Sequence, residues 1–323
     1  MPLIAYGATN FKPHWGPLLA GAGLLTVTWQ ELVWAAITVG KPGVAHLLAH
    51  GWHSVSDNIV RSHMVYASLR QSSGQYEKSS LYGALDPTEK GATSYFMGMM
   101  AAKVLAARLL DTPWLFHLSM FRASGGILKL HTNSEPDLIG RTAMGGWVVM
   151  EAKGRTHGRS DRAMTAAKTQ TRQLRRINGQ FPVLRAAVQA YFQPEMRFAI
   201  DDPEEYEENA EDLNFNVRSA VEKYYSGFLR RDTQMLRDVS ILGRRYIVQD
   251  HEEVGISVGV DSQVLERLAG ANDDALLKPL AEQANQIEAG GPFTIFPDGV
   301  ALALDKRWSE PRMMRDPALR RNG

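Results

Sequence analysis

The chain has 323 residues, 44% of them hydrophobic, which is enough to fill one large core or the cores of roughly two to three ordinary domains. It contains no cysteine, so disulfide frameworks, thiolate zinc sites and thiol nucleophiles are excluded. The net charge is only +1, but residues 88–200 carry 16 Lys/Arg against 7 Asp/Glu and residues 201–323 carry 15 against 24, an asymmetry typical of a polyanion-binding segment beside an acidic lobe.

Residues 1–87 are predicted to form a helical N-terminal region that is rich in tryptophan. It contains four of the seven tryptophans, namely Trp15, Trp29, Trp34 and Trp52. Residues 16–39 are largely apolar, but Gln30 and Glu31 interrupt them, so we expect a buried helix pair, or a helix and a strand, and no membrane partner. No basic segment followed by an apolar stretch opens the chain, so we expect no signal peptide and a cytoplasmic location.

Residues 88–200 are predicted to form an α/β core. Asp86-Pro87-Thr88-Glu89 is a helix-start signal, and the helix that follows is apolar at helical spacing up to Leu110. Four short extended segments come next, at residues 114–120, 127–131, 137–141 and 147–153. Ser160 then caps a basic helix that is predicted to run to about Ile177, and residues 183–192 fit a buried strand. This order indicates a mixed central sheet flanked by helices.

The remainder of the chain is acidic. Eight of the twelve residues from 201 to 212 are Asp or Glu, which predicts a solvated linker and a domain boundary. The run lacks the ligand spacing and central glycine of a calcium loop. Residues 213–323 are predicted to form an α+β region, in which Pro297-Asp298-Gly299 is a hairpin turn between two strands.

The candidate chemistry lies between Glu135 and Lys153. If residues 137–141 and 147–153 form an antiparallel hairpin around Ala143-Met144-Gly145, Asp137 faces Glu151. Side chains alternate along a strand, so Glu151 and Lys153 share a face with Asp137. Two opposed carboxylates repel each other, and nothing in an ordinary core favours that arrangement.

A bound divalent cation would favour it. Carboxylate oxygens suit Mg²⁺ or Mn²⁺, with waters and a substrate phosphate completing the coordination shell. Such a metal lowers the pKa of a bound water, and the ammonium of Lys153 is placed to orient or deprotonate that water and to stabilise the transition state. This combination indicates phosphodiester hydrolysis.

Pro136-Asp137, followed after thirteen residues by Glu151-Ala152-Lys153, resembles the PD-(D/E)XK signature of restriction-endonuclease-like nucleases in order, spacing and strand context. The resemblance covers roughly residues 88–200. It implies that Asp137 and Glu151 bind the metal together with the main-chain carbonyl of Ala152, and that Lys153 is catalytic.

Members of that family often add two further groups to the site. One is an acidic residue from the first core helix, for which Glu89 is the candidate. The other is a polar residue from the helix after the lysine strand, for which Lys168 and Gln170 are the candidates. For Glu89, a place in the first turn of its helix, favoured by the helix dipole, is an explanation that needs no metal.

The resemblance therefore implies a restriction-endonuclease-like core with helical N-terminal and α+β C-terminal additions. It also implies a metal-dependent nuclease, with DNA a better expectation than RNA. Lone nucleases of this kind often act in bacterial restriction or antiphage defence, with a homo-oligomer or a defence-system partner protein as the assembly.

The segment after the hairpin is strongly basic, with eight Lys/Arg between residues 153 and 176 against Asp161 alone. Such residues bind phosphate backbones. The predicted nucleic-acid-binding residues are Arg155, Arg159, Arg162, Arg172, Arg175 and Arg176. A solvated helix face is the alternative interpretation.

Two alternative functions remain open, and two further sequence patterns have simpler explanations. The chain could be a non-catalytic nucleic-acid-binding or assembly protein that keeps a nuclease-like fold, or a hydrolase of small phosphoesters. His46, His50, His53 and Asp57 share one face of a predicted helix, but one straight helix cannot surround an ion with all four, so a polar stripe is the better interpretation. A second match, Pro297-Asp298 with Asp305-Lys306, lacks the one-residue gap that places acid and lysine on one face.

Overall fold

The computed structural model describes residues 1–40, 52–118, 121, 135–203, 205–225, 236–252, 254–270, 276–277 and 287–309, with the side chains of residues 52–58, 223 and 309 excepted. The helices are α1 (Trp29–Thr38), α2 (Trp52–Ser68), α3 (Ser80–Ala84), α4 (Pro87–Leu109), α5 (Asp161–Thr171), α6 (Val217–Tyr225), α7 (Ser262–Ala269) and α8 (Lys306–Ser309). The strands are β1 (Leu3–Thr9), β2 (Ala22–Thr26), β3 (Leu69–Ser72), β4 (Gln75–Lys78), β5 (Trp114–His117), β6 (Leu138–Arg141), β7 (Trp147–Gly154), β8 (Leu174–Ile177), β9 (Leu184–Phe192), β10 (Met196–Asp201), β11 (Glu211–Leu213), β12 (Leu236–Ile241), β13 (Arg244–His251), β14 (Ile256–Asp261), β15 (Glu288–Gly290), β16 (Phe293–Ile295) and β17 (Val300–Leu304).

The central feature is a mixed nine-stranded sheet in the order β3-β4-β1-β10-β9-β7-β6-β5, with β2 paired to β1. The predicted α/β class is confirmed. The N-terminal region, which was predicted to be helical, contains strands as well as helices, and β1 pairs in parallel with β10 and so extends the core sheet. Leu3 to Thr9 alternate between exposed and buried, the pattern of a strand with one face in a core.

The apolar stretch at residues 16–39 contains β2 and α1, which confirms the alternative of a strand and a helix. Thr28 caps α1 by accepting a hydrogen bond from the Glu31 amide at 3.1 Å. None of the helices in the described part of the chain is long and apolar enough to cross a membrane.

Helices cover both faces of the sheet around β7 and β9. Successive residues of a strand point to opposite faces, so Val188 of β9 lies in the main core with α4, whereas Ala187 packs beneath Met164 and Ala167 of α5. Asp86 caps α4 as predicted. The start of β6, the second half of β7 and α5 carry the candidate site.

The hairpin of β6 and β7 has the predicted register. Leu138 pairs with Met150 and Arg141 with Trp147, so continuing the ladder by one residue places Asp137 opposite Glu151. The turn closes with the Gly145 amide donating to the Thr142 carbonyl at 2.9 Å, and Gly145 adopts a φ of 84°, which a glycine tolerates without strain.

The basic helix is shorter than predicted, and the acidic run is not a free linker. α5 ends at Thr171, and β8 follows it, paired in parallel with β11 from the acidic run. Arg175 binds Asp212 through two hydrogen bonds of 2.9 and 3.0 Å. Leu174 and Ile177 have a spacing that also suits a helix, and the partner strand that decides between the two lies far along the chain.

The C-terminal region forms a six-stranded antiparallel sheet in the order β12-β13-β14-β17-β16-β15. Its predicted hairpin at residues 293–304 is confirmed. Asp298, in the turn, is fully buried and accepts hydrogen bonds from Trp34 Nε1 at 3.0 Å and from the Tyr224 hydroxyl at 2.6 Å. Lys103 of α4 is equally buried and lies 3.5 Å from the same carboxylate. Asp298 of the second sequence match therefore has a structural role in the core.

Candidate active site

Asp137 and Glu151 are joined by hydrogen bonds at the open end of the hairpin. The Asp137 amide donates to Glu151 Oε2 at 2.7 Å, and the Ala152 amide donates to Asp137 Oδ2 at 3.2 Å. The two carboxylates are therefore fixed by reciprocal bonds to each other's backbone. Glu151 is 1% exposed, whereas Asp137 is half-buried, so the pair is closed to solvent at Glu151 and partly open to it at Asp137.

Lys153 joins this pair from the same face of β7. Its ammonium forms an ion pair with Glu151 and donates to Gln170 Oε1 at 2.6 Å. Gln170 Nε2 in turn donates to the Glu135 carbonyl at 3.1 Å, which ties α5 to the segment before β6. The sequence-predicted residues Asp137, Glu151, Lys153 and Gln170 thus lie together.

The site concentrates charge in a buried place. Burial and the charge of Asp137 raise the pKa of Glu151 to about 8, even though Lys153 opposes the shift. Burial also raises the pKa of Asp137, against the hydrogen bond from the Ala152 amide. Burial therefore opposes the ionised form of both carboxylates, and nearby positive charge favours it.

These shifts predict how the stability of the metal-free protein varies with pH. A carboxyl whose folded pKa is raised from 4.5 to about 8 stabilises the fold below the lower value and loses that contribution as the pH rises through the higher one. We expect the free energy of unfolding, measured by urea titration in EDTA, to fall between about pH 4.5 and 8. Glu151→Gln should flatten this decline; an equally steep decline in that variant would contradict the assignment.

Asp137 and Glu151 offer oxygen donors of the kind that a hard divalent cation binds. Two carboxylates suffice for Mg²⁺ when waters and substrate phosphate complete the octahedron. In a strand, the N–H and C=O of one residue point to the same edge, so the Ala152 carbonyl faces the side where its amide meets Asp137. Within the described residues no group of three His, Asp or Glu side chains is close enough to hold a metal, so two carboxylates and this carbonyl are the fitting donor set.

Two predicted site residues lie elsewhere. Glu89 is exposed and accepts a hydrogen bond from the Asp86 amide, completing a capping box, so its place in the first turn of α4 has the structural explanation. The Lys168 ammonium pairs with Asp201 at 2.8 Å. Register places Asp201 two strands from Glu151, about 10 Å away by strand spacing, so Lys168 is not brought into the site.

Tyr95 and His117 lie at the site but were not predicted from the sequence. The Tyr95 hydroxyl and His117 Nε2 are 3.2 Å apart. Burial and the charge of Asp137 raise the pKa of Tyr95 to about 12. Burial lowers the pKa of His117, which Asp137 opposes. The sequence did contain a signal for His117. It lies in the extended segment predicted just before the Asp137 strand, and in the structure it pairs with Leu138, the residue next to Asp137.

The predicted nucleic-acid-binding arginines divide into two groups. Arg172 and Arg175 form ion pairs with Glu207 and Asp212 of the acidic run, and the Arg176 guanidinium lies 4.5 Å from the Phe181 ring centroid. The others are exposed around the end of β7 and the start of α5: Arg155, Arg159 and Arg162. The acidic run therefore neutralises Arg172 and Arg175, whereas Arg155, Arg159 and Arg162 face solvent, with Arg159 Nε 3.3 Å from the exposed Asp161 carboxylate.

Of the predicted polar histidine stripe, His46 and His50 lie outside the described residues, as do the side chains of His53 and Asp57. No protein-family model, curated protein or solved structure matches the chain.

Proposed function

We propose that the chain is a divalent-metal-dependent nuclease with a restriction-endonuclease-like core, and that it hydrolyses phosphodiester bonds in nucleic acid, with DNA favoured. The observation that supports this most strongly is the reciprocal bonding of Asp137 and Glu151 beside the Lys153 ammonium. Mutual repulsion and burial make this arrangement costly in an ordinary core. A cation-binding role explains why it is built so tightly.

Each residue has a distinct part in the proposed reaction. Asp137, Glu151 and the Ala152 carbonyl would hold Mg²⁺ or Mn²⁺, which supplies water activation and charge compensation when bound. Gln170 holds the Lys153 ammonium at 2.6 Å and so directs it towards the carboxylates. From there Lys153 orients the attacking water and stabilises the charge that develops on the phosphate.

The loop between β7 and α5 is suited to hold the substrate backbone. Gln189 is fully buried and bonds both the amide and the carbonyl of Ser160, at 2.8 and 3.0 Å. Lys78 Nζ donates to the Thr156 carbonyl at 3.0 Å, and the Arg155 amide donates to the Ala190 carbonyl at 2.8 Å. The loop is therefore fixed at several points while its arginine side chains face solvent.

We expect the two groups of arginines to differ in their effect on binding. Replacing Arg155, Arg159 and Arg162 with Gln should lower the slope of log affinity against log salt by about 2 to 3 for a duplex, because each lost phosphate contact removes about 0.9. The matched control, Arg172→Gln with Arg175→Gln, should leave the slope unchanged, since those side chains already bind acidic residues. If the slope falls in the control and stays unchanged in the triple variant, Arg172 and Arg175 bind the phosphates instead.

Incubation of the protein with plasmid, linear duplex, single-stranded DNA and RNA tests the proposed function. We expect cleavage with Mg²⁺ or Mn²⁺, little turnover with Ca²⁺, whose looser geometry activates water less well, and none in excess EDTA. Full activity in EDTA would exclude the metal mechanism. Binding without cleavage under all conditions would favour a non-catalytic nucleic-acid-binding protein.

A further inference from the structure

Tyr95 and His117 extend the candidate site beyond its carboxylates, lysine and glutamine. They come from separate elements, α4 and the end of β5, and their polar atoms meet at 3.2 Å. Tyr95 is 40% exposed and His117 is half-buried. Both lie close enough to Asp137 to interact with its charge, and Tyr95 also interacts with Glu151. Tyr95 and His117 therefore lie beside the carboxylates, on a part of the site that solvent can reach.

The position of Tyr95 is fixed by an unusually close approach of α4 to β7. A Cβ on Gly154 would lie 1.5 Å from the Ser94 carbonyl oxygen, and one on Gly98 would lie 2.6 Å from the Lys153 carbonyl carbon. Only glycine fits at both places. This packing carries Tyr95, the neighbour of Ser94, to a set position beside the backbone that bears Lys153.

His117 is fixed by the sheet. It pairs with Leu138 in the β5–β6 ladder, and the next amide, that of Leu118, donates to the Asp137 carbonyl at 2.8 Å. Arg61 adds positive charge next to the pair, with its Nη1 donating to the Val39 carbonyl at 2.9 Å. Two hydrogen-bonding groups and a cation thus lie near the carboxylates in addition to Lys153 and Gln170.

We propose that the Tyr95 hydroxyl, oriented by His117, donates a hydrogen bond to a non-bridging oxygen of the substrate phosphate held at Asp137 and Glu151. A phenol keeps its proton at neutral pH, and an imidazole N–H that donates to the phenol oxygen leaves the O–H free to point at an anion. Tyr95 then touches the substrate, and His117 is a positioning residue. This inference rests on the proposed nuclease function.

Tyr95→Phe tests it, because this variant removes one oxygen and keeps the ring that packs edge-on against Phe96 at 5.6 Å. We expect the single-turnover cleavage rate to fall about 10- to 100-fold, the loss typical of a hydrogen bond to a charged group, with metal affinity and substrate affinity in Ca²⁺ changed by no more than about twofold. His117→Ala should lower the rate similarly, and His117→Gln, whose amide can donate in place of the ring, should recover much of it.

Tyr206→Phe is the matched control, since Tyr206 is 41% exposed and lies in the acidic run; its rate should equal that of the wild type. A wild-type rate in Tyr95→Phe would overturn this inference while leaving the proposed function intact. A loss of metal affinity in Tyr95→Phe would also overturn it, because the tyrosine would then support the carboxylates. A wild-type protein that cleaves none of the four substrates would overturn the proposed function and this inference together.

Discussion

Asp137→Asn is expected to abolish metal binding at the site and to lower the single-turnover cleavage rate at least a thousandfold, which is about 4 kcal/mol of transition-state stabilisation. The amide keeps an oxygen for the hydrogen bond from the Ala152 amide, so the hairpin keeps its geometry. Without the second carboxylate, Glu151 loses a neighbour whose charge raises its pKa. The metal-free variant should therefore be as stable as the wild type, or more stable by up to about 1 kcal/mol.

Asp201→Asn is the matched control for this variant. Asp201 is a buried aspartate that pairs with Lys168, and it lies in the same row of the sheet as Glu151, two strands away. We expect it to lose some stability but to keep metal binding and the single-turnover rate. Isothermal titration with Mn²⁺ and a cleavage time course on both variants make the comparison. Metal affinity that survives in Asp137→Asn would place the metal elsewhere.

Asp298→Ala should be the most destabilising single substitution that we predict, costing about 3 to 5 kcal/mol in the free energy of unfolding. It leaves the fully buried Lys103 without its carboxylate and leaves Trp34 Nε1 without its acceptor. Burial already lowers the pKa of Lys103 to about 8, and Asp298 provides the opposing contribution. The network joins α1, α4 and α6 to the C-terminal hairpin, so its loss weakens the whole fold.

Asp305→Ala provides the control in the same region, because Asp305 is 40% exposed and pairs only with the half-exposed Arg307 among the ion pairs of the described residues. Exposed pairs contribute little, so its free energy of unfolding should change by no more than about 1 kcal/mol. Adding Lys103→Met to Asp298→Ala removes the unpaired cation and should recover part of the loss. Equal urea midpoints for Asp298→Ala and Asp305→Ala would contradict the structural role of the network.

The features that sequence could predict are those set by local chemistry. The hairpin register follows from the turn around Gly145 and from strand alternation, and it places Asp137, Glu151 and Lys153 together. The start of α4 follows from the Asp86 capping signal. Gln170 is one of the two candidates that the resemblance implies on the helix after the lysine strand, and it is the one that contacts Lys153.

The features that sequence could not predict depend on long-range pairing. β8 forms a strand because β11 arrives from the acidic run, and this also turns Arg175 from a candidate phosphate ligand into an ion-pair partner of Asp212. β1 enters the core sheet beside β10, which is almost two hundred residues later in the chain. Tyr95 reaches the site only because Gly98 and Gly154 let α4 approach β7 closely.

The most direct test of the nuclease proposal compares Lys153→Met with Lys168→Met. Both lysines have side chains that are 27% exposed and both pair with a carboxylate, but only Lys153 lies beside Asp137 and Glu151. The measurement is the single-turnover cleavage rate at saturating Mn²⁺, with metal affinity determined on the same samples. We predict that Lys153→Met binds metal and nucleic acid but cleaves at least a hundredfold more slowly, about 3 kcal/mol of transition-state stabilisation, while Lys168→Met cleaves like the wild type. Equal rates for Lys153→Met and the wild type would contradict the account.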